Sequence, residues 1–448
     1  MALIESLTAD EIIARLATKA TETLAISRLI SATVVRPHTV AFPSVHSAPP
    51  TVAFAQTGST TIGGTPQELR PTSEQAITML GMVPKWNATN LAMESYSNDR
   101  GSYGGSCEIT SDVVEFFWRS ASTGGYYWVW IDDQPCTAAP VAWAASSAAT
   151  CRLLITFPGV ESHRITVYSD LLQLKTVRVT AGHSIEATYR SPVRFMAVGD
   201  SLTEGSAEAI PQRTWLSHTA KLLGWEPIMN AVGGTGYVNG TKPFTHVDRI
   251  TAMEDDSIDF YHFKGSVNDD PESAAIIQAG AQTCFEAIWQ ANSKAVILVS
   301  GPDPTGGTSS LGAAVRANSD AVRSAAMEYS DKNVIGWVDP LMTKDAVAWS
   351  SGGSYVIGDR VTHQGGVYVC VKDTTTSGFN SIDFARISPL YGTGTVAAPA
   401  SNGNRDQFIL SDAVHWSLAG HQYFGRYFAD HYAKALKAYS RGEFYIHE

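Results

Sequence analysis

The chain has 448 residues, which at roughly 100–200 residues per domain fits two to four domains. Hydrophobic residues at 44% against 17% charged supply enough apolar surface for packed cores and exclude disorder throughout. A net charge of −11, from 32 Lys and Arg against 43 Asp and Glu with no basic run, argues against a nucleic-acid partner.

No apolar stretch approaches the ~18–20 residues of a membrane span. The first residues, MALIESLTADEIIARL, carry no basic segment followed by an apolar one, so no secretory signal is expected. The five cysteines, at 107, 136, 151, 284 and 370, form no CxxC pair, and no metal site is expected. Cys136 and Cys151 are read as small buried thiols rather than as a bridge across a hairpin.

Residues 1–34 read as a helical arm. Thr8 and Glu11 form a capping box, and Ile12, Ile13, Leu16, Ala20 and Leu24 recur at helical spacing. Two readings stand: a helix lying on its own domain, or an arm for oligomerisation or docking. Residues 35–104, rich in Pro, Ser, Thr and Gly at their start, read as a linker or extended region.

Residues 105–192 change to short strands. Val113–Arg119, Tyr126–Asp132, Arg152–Phe157, Arg164–Tyr168 and Val177–Val179 are β-branched or aromatic runs between turn residues. They predict an antiparallel β-sandwich, jelly-roll-like in class. Along Gly124–Ile131, Tyr127 and Val129 face one side and Trp128 and Trp130 the other. A filled core is the expected use of these rings, and a sugar-stacking face the alternative.

From 193 the chain alternates strand and helix. Phe195–Val198, Asp259–Phe263, Ala295–Ser300 and Val334–Val338 read as strands. Trp215–Leu223, Ala274–Asn292, Ala313–Ser330 and Ser417–Tyr439 read as helices. Alternation predicts a parallel sheet covered on both faces, with ligands beyond the strand carboxyl ends. Residues 193–344 and 390–448 are assigned to this α/β domain. Residues 345–389 interrupt it with a turn-rich aromatic segment, too long for an ordinary loop, and read as an inserted β-module.

Two motifs carry chemistry. The first is the apolar strand that runs into Gly199-Asp200-Ser201-Leu202. A serine at a strand-to-helix turn projects its Oγ above the sheet, where a helix N-terminus favours negative charge. A plain helix N-cap is the competing reading. The second is Asp412-Ala-Val-His415, where a carboxylate three residues away orients an imidazole to take a serine proton. His421, within the following helix, reads as structural.

These blocks resemble those of the SGNH/GDSL hydrolase family, four of which occur here in order. Gly199-Asp200-Ser201-Leu202 is similar to the nucleophile block. Asn230-Ala-Val-Gly233-Gly234-Thr-Gly236 resembles the second, whose glycine donates a backbone N–H to the oxyanion. Gly265-Ser-Val-Asn268-Asp269 resembles the third, whose Asn side chain also donates, and Asp412-Ala-Val-His415 the last. The resemblance covers about 194–440 without the insertion, and implies a flavodoxin-like three-layer α/β fold.

Two departures stand out. The second block is one residue short, so the oxyanion glycine is Gly233, Gly234 or Gly236, with Gly234 preferred. In the third, Ser266 holds the usual glycine position. The resemblance implies catalysis by Ser201, His415 and Asp412. The oxyanion would be bound by the N–H groups of Ser201 and Gly234 and the amide of Asn268. No cofactor is implied.

A sandwich followed by such a domain is similar in order to family 2 carbohydrate esterases, which deacetylate polysaccharides. Many of that group lack the triad Asp that Asp412 supplies here. The insertion, with Trp349, Tyr355-Val-Ile-Gly358-Asp359-Arg-Val361 and Gly365-Gly-Val-Tyr368, resembles small chitinase carbohydrate-binding modules of families 5 and 12. Their late Trp is absent, Phe384 standing near its place. That likeness implies sugar stacking by Trp349, Tyr355 and Tyr368; a lid packed by the same rings is the plainer reading. The expected function is a serine O-acetyl esterase acting on a polysaccharide. The alternatives are a lipase or thioesterase on small acyl esters, and a non-catalytic glycan-binding structural protein. The modules and the arm together fit a phage tail or spike component, virion-associated or extracellular, with a cytoplasmic protein as the other reading.

Overall fold

The computed structural model describes residues 45–69, 78–80, 84–89, 92–95, 104–169, 172–188, 193–206, 211–303, 313–340, 347–363, 366–375, 377–380, 382–386, 408–412 and 414–447. The expected helix over 1–34 lies outside them.

Six parallel strands form the sheet that carries the site. Their spatial order is Glu226–Ala231, Arg194–Gly199, Phe260–Lys264, Val296–Ser300, Val334–Val338 and Tyr445–His447. In chain order this is 2-1-3-4-5-6, the doubly wound pattern with its switch point beside the first strand. The apolar runs are buried on both faces, as an enclosed parallel sheet requires. Phe195 and Ala197 point into a core with the helices Trp215–Leu223 and Leu418–Tyr439. Met196 and Val198 point into a second core with Ala274–Ala291 and Ala313–Glu328. The period of two along one strand thus fills two layers. Among the described residues, no helix is long and apolar enough to cross a membrane.

The antiparallel region is a ten-stranded network. Its long strands, Gly104–Ser120 and Thr150–Ser169, pair along most of their length, with a register shift between Thr156 and Glu161. The end at Thr150–Thr156 also pairs with Thr51–Ala55, and the end at Ile165–Ser169 with Gly124–Ile131. Side chains from both ends share one core that includes Ile109, Phe116, Trp118, Leu153 and Val167.

Two expectations are corrected here. Arg152–Phe157 and Arg164–Tyr168 are one 20-residue strand; Pro158-Gly159 mark the register shift rather than a turn. The described parts of 35–104 are not linker: Thr51–Ala55, Gln67–Leu69 and Thr78–Leu80 add strands to the sheet. The buried Glu115 carboxylate anchors this segment, accepting from Thr61 N at 2.8 Å and from the hydroxyls of Thr60 and Thr61 at 2.6 and 2.9 Å.

The rings of Gly124–Ile131 fill both faces. Tyr127 and Val129 enter the core. Trp128 is buried on the opposite side, donates Nε1–H to Thr137 O at 2.8 Å and meets Trp130 edge-on at 5.1 Å. All five cysteines are free and buried.

The insertion makes its own four-stranded sheet, Val347–Ala348, Arg360–His363, Gly366–Cys370 and Phe384–Arg386. Beside it, Ser354–Tyr355 pairs with Thr374–Thr375.

Candidate active site

The three blocks at the strand ends come together because the topology makes their strands neighbours. Arg194–Gly199 lies between Glu226–Ala231 and Phe260–Lys264, with Gly199 opposite Ala231 and Val198 opposite Phe263. The loops leaving these strands carry Ser201, Gly233 with Gly234, and Asn268.

Asp200 is extended (φ −105°, ψ −152°) and caps the short helix Ser201–Glu204. Its Oδ1 accepts from Leu202 N at 3.0 Å, and its carbonyl from Thr203 N and Glu204 N at 3.0 and 2.8 Å. Those bonds use the first-turn donors of residues 202–204. The N–H of Ser201 has no acceptor among the described residues. Gly199 is required by close approach, since a Cβ there would collide with the Thr203 hydroxyl.

The glycine loop lies against Ser201. A Cβ on Gly233 would stand 3.5 Å from Ser201 Cβ and 2.9 Å from Glu204 Oε2. Gly234 follows in the left-handed region at φ 72°. Gly236 donates its N–H to Asn239 O at 2.9 Å, which removes it from the three oxyanion candidates. The N–H groups of Gly233 and Gly234 have no acceptor among the described residues. Gly233, which approaches Ser201, therefore stands beside the expected Gly234 as a candidate donor.

Beneath this loop lies a buried polar network. Ser266 Oγ is 2.7 Å from Asp200 Oδ2 and 3.0 Å from Thr235 O. The Asn268 amide donates to Thr235 O at 3.1 Å and Ser266 Oγ at 3.0 Å. It is thus tied to the network rather than turned outward. Asp269 accepts from Tyr237, Val238 and Asn239 N–H groups at 2.7, 3.2 and 3.2 Å. Burial pushes its carboxyl up and these three donors draw it down, the net shift being upward.

Asp412 and His415 sit on a hairpin that closes through the Ile409–Trp416 bridge and Leu410 N–H to His415 O at 2.8 Å. Asp412 Oδ2 is 2.7 Å from His415 Nδ1, and its Oδ1 accepts from the backbone of Val414 and His415. Burial alone would raise the Asp412 carboxyl; the Val414 N–H and His415 bonds prevail and hold it at about 2. Ser201 and His415 are not hydrogen-bonded to each other. Trp416 stacks on Phe424 at 3.9 Å, which fixes the base of the hairpin on the closing helix. His421 is structural: buried, it accepts from Trp215 N at 3.2 Å, and burial first of all holds its imidazole down at about 3.

Lys264, at the end of its strand, forms a fully buried ion pair with Asp303. Lys264 Nζ is 5.1 Å from the Trp416 ring. Burial pushes Asp303 up to about 6, Asp200 adding and Lys264 opposing.

Two of the three expected sugar-stacking residues, Tyr355 and Tyr368, are corrected by their burial. Tyr355 is 7% and Tyr368 9% exposed, and both pack in the small core with Val361, Cys370 and Phe384. Tyr355 hydroxyl accepts from Ser350 N at 2.7 Å. Trp349 is half-buried against His363 and Phe379. Tyr355 and Tyr368 are therefore interior rings, in line with the plainer reading of a segment packed by its own aromatics. Sequence reasoning also missed Ser266, Asp269 and Arg249 as supports of the site. Asp269 was signalled by its place after Asn268; nothing in a motif signalled Arg249. Among the described residues, no group of three His, Cys, Asp or Glu is placed to hold a metal ion.

No protein-family model matches the chain, and no curated protein does. Solved structures do. A salicylyl-acyltransferase from a tetracycline biosynthetic pathway aligns with a TM-score of 0.50 at 16% identity, over 61% of this chain and 85% of that one. A family 2 carbohydrate esterase with a carbohydrate-binding domain, from Corynascus thermopiles (Myceliophthora fergusii), aligns at 0.50 and 15% identity, over 81% of this chain and 100% of that one. A family two carbohydrate esterase from Cellvibrio japonicus aligns at 0.49 and 14%, over 61% and 88%. The first two likenesses establish a shared fold, in keeping with the SGNH/GDSL relationship implied by the four blocks.

Proposed function

We propose that the protein is a serine esterase that removes short acyl groups, acetyl above all, from a polysaccharide. The observation that carries this reading is the set of unspent donors around Ser201. Among the described residues, its own N–H and those of Gly233 and Gly234 have no acceptor, while the neighbouring N–H groups of Leu202, Thr203, Glu204 and Gly236 are all used. Donors of this kind, arranged before substrate arrives, stabilise a developing oxyanion by ~3–4 kcal/mol each.

The steps follow from the side chains. Ser201 Oγ attacks the ester carbonyl, and His415 Nε2 takes its proton. Asp412, bonded to Nδ1, holds the tautomer that leaves Nε2 basic. The tetrahedral oxyanion rests on the Ser201 and glycine-loop N–H groups. Asn268 joins them by turning one amide hydrogen from Thr235 O or Ser266 Oγ. His415 then protonates the leaving alcohol, and water, activated by the same imidazole, releases the acid. The carbohydrate direction is supported by the fold shared with the Corynascus esterase, itself a carbohydrate esterase with a binding domain.

Acetate release from a panel of acetylated glycans tests this, with p-nitrophenyl acetate and octanoate alongside. The wild type releases acetate, and Ser201→Ala loses about 10⁴-fold or more while keeping its fold. Faster turnover of octanoate than acetate would move the assignment to a lipase. Hydrolysis of no ester would leave a glycan-binding protein.

A further inference from the structure

Arg249 is wholly buried beneath the site, and its guanidinium spends all five of its donors. Nε–H goes to Asn230 Oδ1 at 2.8 Å. Nη1 reaches Thr235 Oγ1 at 3.0 Å and Lys242 O at 3.1 Å. Nη2 reaches Gly199 O at 2.9 Å and Asn230 O at 2.6 Å. The Phe244 ring lies 4.5 Å from the guanidinium carbon.

These acceptors are not scattered. Gly199 O ends the nucleophile strand two residues before Ser201, and Asn230 O lies on the neighbouring strand three residues before Gly233. Thr235 Oγ1 also donates to Val232 O at 2.7 Å, directly before Gly233. One rigid plane therefore spans both chain segments that carry the unspent N–H donors. We infer that Arg249 is a positioning residue for acyl transfer: it sets the separation between the Ser201 and glycine-loop N–H groups, and so the oxyanion geometry. This rests on the esterase reading. A lysine would keep the charge but not the planar fork, and so would leave the two strand ends free to shift. Small displacements of that kind fall on the transition state more than on substrate binding.

The test measures kcat and KM on p-nitrophenyl acetate for Arg249→Lys, Arg249→Ala and Thr235→Val, with melting curves. Arg249→Lys is expected to lose about 30–100-fold in kcat with KM within about threefold of wild type. Millimolar guanidinium should restore Arg249→Ala in part and leave Ser201→Ala dead. If Arg249→Lys does not fold, Thr235→Val decides, since it removes only the loop end of the clamp; it should lose about tenfold in kcat alone. A folded Arg249→Lys, or failing that a Thr235→Val, with wild-type kcat overturns the inference while the esterase stands. An inactive wild type overturns the esterase reading, and the inference with it.

Discussion

The Ser201 half of the candidate site is held from beneath by buried polar contacts, whereas the Asp412 and His415 half rides on a hairpin with an exposed tip. Asp200 is 2% exposed and is bound by Ser266, and Asp269 and Arg249 tie the glycine loop to its neighbours. The Asp412 and His415 side chains are 48% and 26% exposed, and their bonds are to each other and to their own turn. Fully satisfied buried networks fix a geometry. A turn closed by a few local bonds can adjust. Ser201 and His415, one in each half, are not hydrogen-bonded to each other. On the proposed esterase reading, the Ser201 and glycine-loop N–H groups are set before substrate binds, and His415 completes its contact with Ser201 in the complex, as apo sites often do.

The largest effect should separate the halves by chemistry alone. His415→Ala should cost about 10³–10⁴-fold in kcat, and Asp412→Asn less, because it acts through orientation. Neither should move the melting temperature by more than about 2 °C, since exposed turn residues support little packing. A loss of fold in either would break the comparison. Assays of both variants beside melting curves decide it.

Acid should expose the opposite half. Burial holds His421 down at about 3 and His218 at about 4, and His262 and His431 well below their ordinary range. The unfolded chain binds protons at these positions near pH 6.5 while the folded chain refuses them. These histidines therefore lower stability as pH drops below about 6.5, while the raised carboxyls of Asp303 and Asp269, which bind protons more readily folded than unfolded, oppose part of that fall. Asp412 works in another window. Its carboxyl is lowered, so its contribution is present above about pH 3.9 and fades only as pH falls toward 2. Melting curves from pH 8 to pH 4 should show the decline in wild type and in Asp412→Asn alike. A flat profile would mean that the buried histidines do not dominate the acid response.

Ser266→Ala should have an intermediate effect. It removes the donor to Asp200 and leaves a buried carboxylate short of a partner, at a cost of about 1–3 kcal/mol. Asn268 loses an anchor at once, so kcat should fall about 10–100-fold. A stability loss without a rate loss would show that the network supports the fold but not the oxyanion geometry.

How much of this was legible depends on what each residue answers to. Trp215–Leu223 and Val334–Val338 match their expected bounds because local signals end them: Gly224 at φ 68° closes the helix, and an unbroken apolar run makes the strand. Glu226–Ala231 escaped because Glu226, Pro227 and Asn230 interrupt its apolar pattern, although it flanks the nucleophile strand. Ser201, Asp412 and His415 were legible as motifs. Arg249 was not, because a charged residue is expected outside, and its burial is set by five acceptors drawn from four separated positions. The aromatic insertion was legible as β-structure, but composition does not say which face a ring takes.

That last point shapes the smallest expected effect. Tyr355 and Tyr368 hold the small core of the insertion, so replacing them tests its folding and says little about glycan contact. Trp349 is half-buried at the margin of that core, against His363 and Phe379. The insertion also exposes aliphatic side chains, with Ile357 at 67% and Ile382 at 78%. If the insertion positions polymer, binding energy from remote sugars serves to bring the ester to Ser201. Trp349→Ala and an Ile357→Ser, Ile382→Ser pair should then lower activity on acetylated polysaccharide by about three- to tenfold and leave p-nitrophenyl acetate unchanged. Equal losses on both substrates, with melting unchanged, would tie the insertion to the catalytic loops themselves. No loss on either would make it a packed module that the esterase reaction does not use.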